Sequence, residues 1–416
     1  MMGMRLGVAL FTAILASGSP AGAQQAKNSS PFGIAYAAFL PPASMTAEHV
    51  AGTFKEASEL GAKSLRWTMP WQAIESRNGT LNWSVLDRIV QAAEASKIEL
   101  VFGLTGYSPG SCCTNYANLY PAGAEEKIRG YERFLRELVR RYKGKVRYWQ
   151  IENEVSLPLS WGGPLEDYIS VLSAAYRTIK SEDPDSTVLM AGLAGVGDPA
   201  KERFLIERGR GHFDVLDAHL YFAPEELLGK INNLRTEMKA LGYDRPIWVT
   251  ETGGPHPCRV RGTREPPPEF QSSEVVKRYV ELLAAGVERV FWFGLERATA
   301  LPVWGCGGGP LVSFDFMMLR RGQERRPAFS TYQLMARKLE GFTAVERLKI
   351  GENISAFRFS VGSGSVAVLW ADKDRVANLP GSGAGVVLTG VSGATRRVDA
   401  KAIPLNTSPV FVEEAR

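Results

Sequence analysis

Short apolar runs alternate with longer segments of helical period along most of this chain, and no other sequence feature limits its fold as strongly. Eight such runs lie between Phe32 and Phe293, and the segments between them repeat apolar residues every three or four positions. Parallel strands joined by helices are buried on both faces, which explains runs that are apolar throughout. The pattern predicts an α/β fold, and eight strands are enough to close a (β/α)8 TIM barrel.

The predicted elements follow from this alternation. An open doubly wound sheet is the alternative arrangement, but no G-x-G-x-x-G motif follows an early strand. The predicted strands are Phe32 to Tyr36, Ser64 to Trp67, Leu100 to Leu104, Tyr148 to Glu152, Thr187 to Ala191, Val215 to Leu220, Ile247 to Glu251 and Arg289 to Phe293. The predicted helices are Thr46 to Leu60, Ser84 to Ser96, Glu125 to Tyr142, Leu165 to Lys180, Lys201 to Arg208, Pro224 to Leu241, Ser272 to Ala285 and Ala328 to Leu339.

A different pattern begins near Ala344, where apolar and polar residues alternate and glycine-rich turns appear. Alternation of period two is typical of strands with one buried face, so this part predicts a small β-sandwich. The expected organisation is a signal peptide over 1–23, a catalytic barrel over 31–342 and an accessory β-sandwich over 343–416.

The N-terminus has the composition of a secretory signal peptide. The basic start Met1 to Arg5 precedes the apolar run Leu6 to Ala16, and the small residues Ala21 and Ala23 predict cleavage after Ala23. An uncleaved anchor is the alternative, but the run is too short to span a bilayer comfortably, and no later run approaches about 20 apolar residues. We therefore expect a secreted or periplasmic protein with no membrane span.

The four cysteines, Cys112, Cys113, Cys258 and Cys306, would then lie in an oxidising compartment. They permit two disulfides, whereas a metal site is disfavoured because no Cys-x-x-Cys or histidine pair accompanies them. Cys258 and Cys306 fall in consecutive predicted loops and are the favoured pair, which leaves Cys112 and Cys113 free or bridged to each other. We expect neither a metal nor a cofactor.

The charge pattern disfavours nucleic acid as a partner. The net charge is +5, and the lysines and arginines are scattered rather than gathered in one stripe.

Two glutamates close predicted strands at positions where a barrel places its active site. Glu154 ends the sequence Ile151-Glu-Asn-Glu after strand four, and Glu251 ends strand seven. Side chains at the carboxyl ends of barrel strands meet in one cleft, so the two carboxylates are expected to face each other. Such a pair is the machinery of glycoside hydrolysis; a gap of roughly 5–5.5 Å implies retention of configuration and a wider gap implies inversion.

These motifs resemble clan A of the glycoside hydrolases, barrel enzymes with an Asn-Glu pair after strand four and a nucleophilic glutamate after strand seven. The resemblance covers nearly the whole mature chain, which is similar to a bacterial member of family 39 or family 5. The sequences that carry it are Trp71-Gln-Ala-Ile-Glu75, Gly79 to Asp87, Tyr148-Trp-Gln-Ile-Glu-Asn-Glu154, Arg245 to Gly253 and Arg326 to Phe329.

The resemblance implies a role for both carboxylates. Glu154 would be the acid/base and Glu251 the nucleophile of a retaining β-glycosidase. Arg66 and the Tyr221 hydroxyl would keep Glu251 ionised, because a cation and a hydrogen-bond donor both favour the carboxylate.

Further residues are implied as substrate contacts. Asn153 would bind the sugar 2-hydroxyl, His219 would orient the network, and Trp292 would stack on the apolar face of the sugar. Arg66 could instead be a structural ion pair, and His219 and Tyr221 could satisfy buried polar groups. Trp292 could instead fill the barrel core.

The end of strand three departs from the resemblance, because Gly103 to Pro109 contains no histidine or tryptophan where many clan members have one. The identity of the sugar that is recognised therefore stays open. The preferred reading is hydrolysis of a β-linked polysaccharide or oligosaccharide by double displacement. A glycan-binding barrel without turnover and a transglycosylase with the same residues are the alternatives.

Overall fold

A computed structural model describes residues 30–36, 42–76, 78–106, 124–158, 160–194, 198–254, 267–296, 316–320, 324–383 and 385–415. Within these ranges the chain forms a (β/α)8 barrel followed by a small antiparallel β-sandwich, which confirms the predicted fold class. The proposed signal peptide and the cysteines Cys112, Cys113, Cys258 and Cys306 lie outside the described residues, so the leader and the disulfides stay predictions.

The barrel strands coincide with the eight predicted runs and differ from them only at their ends. They are β1 (Phe32–Ala35), β2 (Ser64–Pro70), β3 (Glu99–Thr105), β4 (Tyr148–Ile151), β5 (Thr187–Leu189), β6 (Leu216–Leu220), β7 (Ile247–Thr252) and β8 (Arg289–Phe293). All pair in parallel in the order β5-β4-β3-β2-β1-β8-β7-β6. Parallel bridges from Leu189 to Val215 and from Leu193 to Ala218 join the two ends of this sheet and close the barrel.

The helices that cover the barrel also follow the predicted segments. They are α1 (Ala47–Leu60), α2 (Ser84–Ser96), α3 (Ala124–Tyr142), α4 (Leu165–Glu182), α5 (Pro199–Arg208), α6 (Pro224–Ala240), α7 (Pro268–Ala284) and α8 (Pro327–Leu339). Helix α7 begins four residues before the predicted Ser272, because proline is tolerated in the first helical turn, where its missing N–H would have no partner. No helix in the described ranges is long and apolar enough to cross a membrane.

The C-terminal strands form two antiparallel sheets that enclose a second core. They are β9 (Phe342–Arg347), β10 (Ile354–Val361), β11 (Gly364–Ala371), β12 (Arg375–Ala377), β13 (Gly385–Gly390), β14 (Thr395–Asp399), β15 (Ile403–Leu405) and β16 (Val410–Glu414). Six of them form one sheet in the order β14-β13-β16-β11-β10-β9, and β12 pairs with β15. Leu369 of the large sheet and Ile403 of the small one belong to the same buried cluster.

The other face of the large sheet packs on the barrel. Phe357, Phe359 and Phe411 are fully buried and belong to the same apolar cluster as the barrel interior. The two parts therefore share packing, and the division between 342 and 343 stays a prediction.

The two ends of the barrel differ in chemistry. At the amino end of the strands, the Arg289 guanidinium lies 4.5 Å from the ring centres of both Tyr148 and Trp248, which fills that end with aromatic and apolar groups. Towards the carboxyl end, the strands carry buried polar side chains instead, including Arg66, Asp217 and His219. This polar end is where the site lies.

Candidate active site

Glu251 is a buried carboxylate held by two hydrogen bonds. Nη1 of Arg66 donates to its Oε1 at 2.7 Å, and the Tyr221 hydroxyl donates to its Oε2 at 2.8 Å. Burial acts to raise the pKa of Glu251, but the charges of His219 and Arg66 and these hydrogen bonds outweigh it, so the pKa lies below its ordinary value. The group is therefore ionised at neutral pH, as the sequence reasoning expected.

A bulge in β7 determines where Glu251 points. Ala218 pairs with Val249, but the next residue, His219, pairs with Glu251, which leaves Thr250 as an extra residue. Successive side chains of a regular strand point to opposite faces, whereas a bulge can direct two neighbours to the same side. Thr250 and Glu251 consequently both contact polar groups of the barrel interior.

Glu154 lies just beyond β4 in a sharp turn. Both Glu152 and Glu154 adopt left-handed backbone conformations, with φ of 67° and 46°. Such conformations are disfavoured for residues other than glycine and are concentrated at functional sites. The Glu154 side chain is 21% exposed, and its Oε1 lies 2.9 Å from Nδ1 of His219. This turn thus directs a carboxyl group towards the barrel mouth while one oxygen stays bound to the protein.

The two glutamates approach each other closely. One oxygen of Glu154, one ring nitrogen of His219 and one oxygen of Glu251 all lie within 4.8 Å of one another. Three such atoms could also surround a cation. We assign none, because Glu251 already has a cation in Arg66 and the near oxygen of Glu154 already faces His219. A carboxyl pair at this spacing suits attack of one carboxylate on a carbon atom and proton transfer from the other group to an oxygen bound to that carbon.

Arg66 on β2 connects the two motifs through the barrel interior. Its Nε donates to Oε1 of Gln150 at 2.7 Å and its Nη2 donates to Oδ1 of Asn153 at 2.7 Å, in addition to the contact with Glu251. The Asn153 carbonyl oxygen is thereby engaged, so its amide nitrogen is the group that can donate to a ligand.

A layer of buried polar residues beneath the glutamates was missed by the sequence reasoning. Asp217 has no exposed surface; its Oδ2 accepts from Nε2 of Gln150 and from Oγ1 of Thr250, the latter at 2.7 Å, and its Oδ1 accepts from the Thr250 N–H at 3.1 Å. The available signal was a polar residue inside an otherwise apolar strand, as in Trp149-Gln-Ile151 and Leu216-Asp-Ala218. Polar residues buried in strands require hydrogen-bond partners, and here the partners are other residues of the site.

The remaining titratable groups respond to the same charges. Burial acts to lower the pKa of His219, but the negative charges of Glu251, Glu154 and Asp217 outweigh it, so the pKa is raised. Burial and the charge of Glu251 raise the pKa of Tyr221 well above its ordinary value, which keeps the phenol protonated as a donor. Burial raises the pKa of Asp217.

The structure corrects the expected role of Trp292. Its side chain is fully buried and its Nε1 donates to the Phe316 carbonyl at 2.6 Å, so no ring surface is available to a sugar. Phe293, the next residue, is only partly buried, and its ring meets that of Tyr221 edge-on with centres 6.4 Å apart. The sequence reasoning selected the buried member of this aromatic pair, because it could not tell which side of β8 faces the mouth.

Comparisons with known proteins support the fold. No protein-family model and no curated protein matches the sequence. The structure is similar to a family 39 glycoside hydrolase from the gut symbiont Bacteroides cellulosilyticus WH2, with a TM-score of 0.70 at 17% identity over 92% of this chain and 81% of that chain. It is also similar to a monomeric beta-xylosidase from Caulobacter crescentus CB15, with a TM-score of 0.62 at 13% identity over 93% and 96% of the two chains.

A third similar structure is a GH30 endoxylanase from Clostridium papyrosolvens C71, with a TM-score of 0.60 at 13% identity over 92% of this chain and 96% of that one. At these identities the likeness shows the fold, and it agrees with the resemblance found in the sequence motifs. The role of each residue has to be argued from the site.

Proposed function

We propose that the protein is a retaining β-glycoside hydrolase in which Glu251 is the nucleophile and Glu154 the acid/base. The observation that carries the proposal is the approach of the two carboxyl groups to within 4.8 Å, one ionised and bound by Arg66, the other partly exposed at the mouth. Carboxyl oxygens within 4.8 Å of each other are closer than the roughly 6.5–9.5 Å that an inverting pair needs to place a water molecule beside the sugar.

In the first half of the proposed reaction, an oxygen of Glu251 forms a bond to the anomeric carbon as the bond to the leaving oxygen breaks. Glu154 gives its proton to that oxygen, so the alcohol leaves neutral. Arg66 and Tyr221 hold Glu251 in one orientation, which limits the motion needed for attack.

In the second half, water attacks the anomeric carbon from the side of Glu154, which takes up a proton from that water. The bond to Glu251 breaks and the carboxylate returns to its contacts with Arg66 and Tyr221. The Asn153 amide nitrogen would donate to the sugar 2-hydroxyl, a contact that strengthens as positive charge develops on the ring.

β-Linked oligosaccharides and polysaccharides are the proposed substrates. Two of the similar structures are named as a xylosidase and an endoxylanase, so β-xylosides and xylans are the first glycans to test. We also propose that the enzyme acts outside the cytoplasm, on the basis of the signal-peptide pattern in residues 1–23.

The test is to incubate the purified mature protein with a panel of β-linked glycans and to follow the first anomer released by NMR. Release of the β-anomer first supports the proposal, whereas the α-anomer first would overturn the assignment of Glu251. The Glu251→Gln variant serves as a matched control of nearly equal size. Binding of a glycan without turnover by the wild type would instead favour a glycan-binding barrel, and transfer products with added sugar acceptors would indicate transglycosylation.

A further inference from the structure

Asp217 lies at the centre of a buried hydrogen-bond network beneath the two glutamates of the proposed reaction. Its side chain is fully buried on β6, two residues before His219 and on the same side of the strand. Two of its hydrogen bonds have fixed direction, since the Thr250 N–H and the Gln150 amide N–H can only donate. The orientation of the Gln150 amide is set by Arg66, whose Nε donates to Oε1. Asp217 is therefore bound as an acceptor.

The Thr250 hydroxyl connects Asp217 to His219. Its Oγ1 lies 2.7 Å from Oδ2 of Asp217 and 3.1 Å from Nε2 of His219. A hydroxyl has one proton to donate. Asp217 already receives hydrogen bonds from Gln150 Nε2 and the Thr250 N–H, which favour its ionised form against the effect of burial, and an ionised carboxylate can only accept that proton. The same oxygen must then accept from His219, which requires the proton of that ring to lie on Nε2.

The far side of the ring faces the proposed acid/base. Nδ1 of His219 lies 2.9 Å from Oε1 of Glu154. If Nε2 always carries a proton, Nδ1 is the position that gains and loses one, and it exchanges that proton with Glu154 along a single hydrogen bond.

The backbone after β5 packs directly against the His219 ring. A Cβ atom at Gly192 would lie 2.2 Å from Nε2 of His219, so only glycine allows the backbone after β5 to pass the ring. On the other side of the network, a Cβ at Gly103 would lie 2.7 Å from Oγ1 of Thr68 and 3.3 Å from Oε1 of Gln150. Both glycines make space for the polar layer.

The negative charges around His219 come from three parts of the barrel. Glu154 beyond β4, Glu251 on β7 and Asp217 on β6 all favour the protonated ring. Arg66 on β2 pairs with Glu251. Asp217 is the member of this set that is not engaged in the proposed chemistry, and its Oδ2 lies 3.8 Å from Nε2.

We propose that Asp217 is a positioning residue that, through the Thr250 hydroxyl, fixes the ring proton of His219 on Nε2 and so reserves Nδ1 for proton exchange with Glu154. The proposal rests on the proposed function for its catalytic meaning, but the position of the proton can be measured without any substrate. In the reaction, the pair of His219 and Glu154 would hold one proton, which is available to the leaving oxygen. The charge of Asp217 would retain that proton to higher pH.

The first experiment is NMR of the protein labelled with 15N at histidine. The chain contains four histidines, and the His219→Gln variant identifies the signal of His219. At a pH above the ring titration, we expect the neutral ring to carry its proton on Nε2 in the wild type. A proton on Nδ1 in the wild type would overturn the proposal, because it would mean that Asp217 does not accept from Thr250.

Thr250→Val and Thr250→Ser form a matched pair. Valine has nearly the shape of threonine but cannot accept from Nε2, so the proton is expected to move to Nδ1, facing Glu154. Serine keeps the hydroxyl and should keep the proton on Nε2. A ring that stays protonated on Nε2 in the valine variant would contradict the inference, and near-UV circular dichroism verifies that both variants are folded.

The second experiment uses the Asp217→Asn variant and the pH dependence of kcat/KM. Loss of the negative charge should move the alkaline limb to lower pH by about one unit, since a charge within about 4–6 Å shifts a buried group by one unit or more. If Asp217 had a purely structural role, the variant would lower kcat/KM at every pH and leave the alkaline limb at the same pH. That result would overturn the proposed effect of Asp217 on proton exchange with Glu154. Absence of turnover in the wild type would count against the proposed function alone, because the NMR result does not depend on it.

Discussion

Arg66 and Glu251 form a buried ion pair across the barrel, with Nη1 and Oε1 2.7 Å apart and the residues 185 positions apart in sequence. Arg66 is on β2 and Glu251 on β7, so only closure of the barrel brings them together. The side chains are 4% and 10% exposed, and solvent screens their attraction little. Together with the charge of His219, the pair therefore keeps the proposed nucleophile ionised.

Replacement of Arg66 by methionine should raise the pKa of Glu251, because its nearest cation is removed while burial persists. Activity requires the ionised carboxylate, so the acidic limb of the kcat/KM profile should move to higher pH by about one unit or more. Arg140→Met is the control, since Arg140 pairs with Glu182 on the surface. An acidic limb at the same pH in Arg66→Met and the wild type would disprove this electrostatic role.

Replacement of Glu154 by alanine should separate substrates by their leaving groups. Natural glycosides need protonation of the leaving oxygen, so their turnover should fall by about 10²–10⁴-fold. Aryl glycosides with acidic phenols need little protonation and should retain a rapid first step, seen as a burst of phenol. Added azide should accelerate the second step, because it attacks the sugar without a general base. Equal losses for both kinds of substrate would contradict the role of Glu154.

Gly192, which lies against the His219 ring, should be needed for full activity. Gly192→Ala places a Cβ 2.2 Å from Nε2 of His219, so the ring must move away from Thr250 and Glu154, and kcat should fall at least tenfold. Gly229→Ala is the control, since a Cβ there has no neighbour within 4 Å and lies in helix α6. That change should raise the free energy of unfolding by about 0.5–1 kcal/mol. Full activity of Gly192→Ala would show that the ring tolerates displacement.

Trp292 and Phe293, adjacent aromatic residues of β8, should respond differently to substitution. Phe293→Ala removes the ring that is partly exposed near Tyr221 and should raise KM about 3- to 10-fold, the value of one aromatic contact. Trp292→Phe changes a buried side chain and should lower thermal stability while KM stays within about twofold. Measurement of KM and Tm for both variants tests the assignment, and the opposite pattern would restore Trp292 as the sugar contact.

Glu281 should make the stability of the protein depend on pH. Burial raises its pKa to about 7, above the ordinary 4.5, so the folded chain binds this proton more tightly than the unfolded chain. The stabilisation that this tighter proton binding gives the folded state is fully present below about pH 4.5. It is lost as the pH rises through about 7, which lowers the free energy of unfolding by up to about 3 kcal/mol. In urea unfolding at pH 8, Glu281→Gln should have a higher free energy of unfolding than the wild type. The advantage of the variant should be smaller at pH 4.5. A constant difference between the two proteins would refute the assignment.

The sequence alone determined the fold class and most element positions. Eight apolar runs with helical segments between them specify parallel strands and their order along the chain, because a buried parallel strand has to be apolar on both faces. The motifs around Glu154 and Glu251 likewise identified the two carboxylates, since their places at strand ends are local features of the chain.

Other features were decided only in three dimensions. Whether Trp292 or Phe293 faces the mouth of the barrel depends on the rotation of β8 about its axis. The direction of the Glu251 side chain depends on a bulge at Thr250, which no residue pattern predicts. The network of Asp217 joins β6 to its neighbour β7 through Thr250 and to β4 through Gln150, and the contact with β4 exists only when the barrel is closed. Sequence periodicity records which residues are buried, but the partners of a buried polar group are set by the register and closure of the sheet.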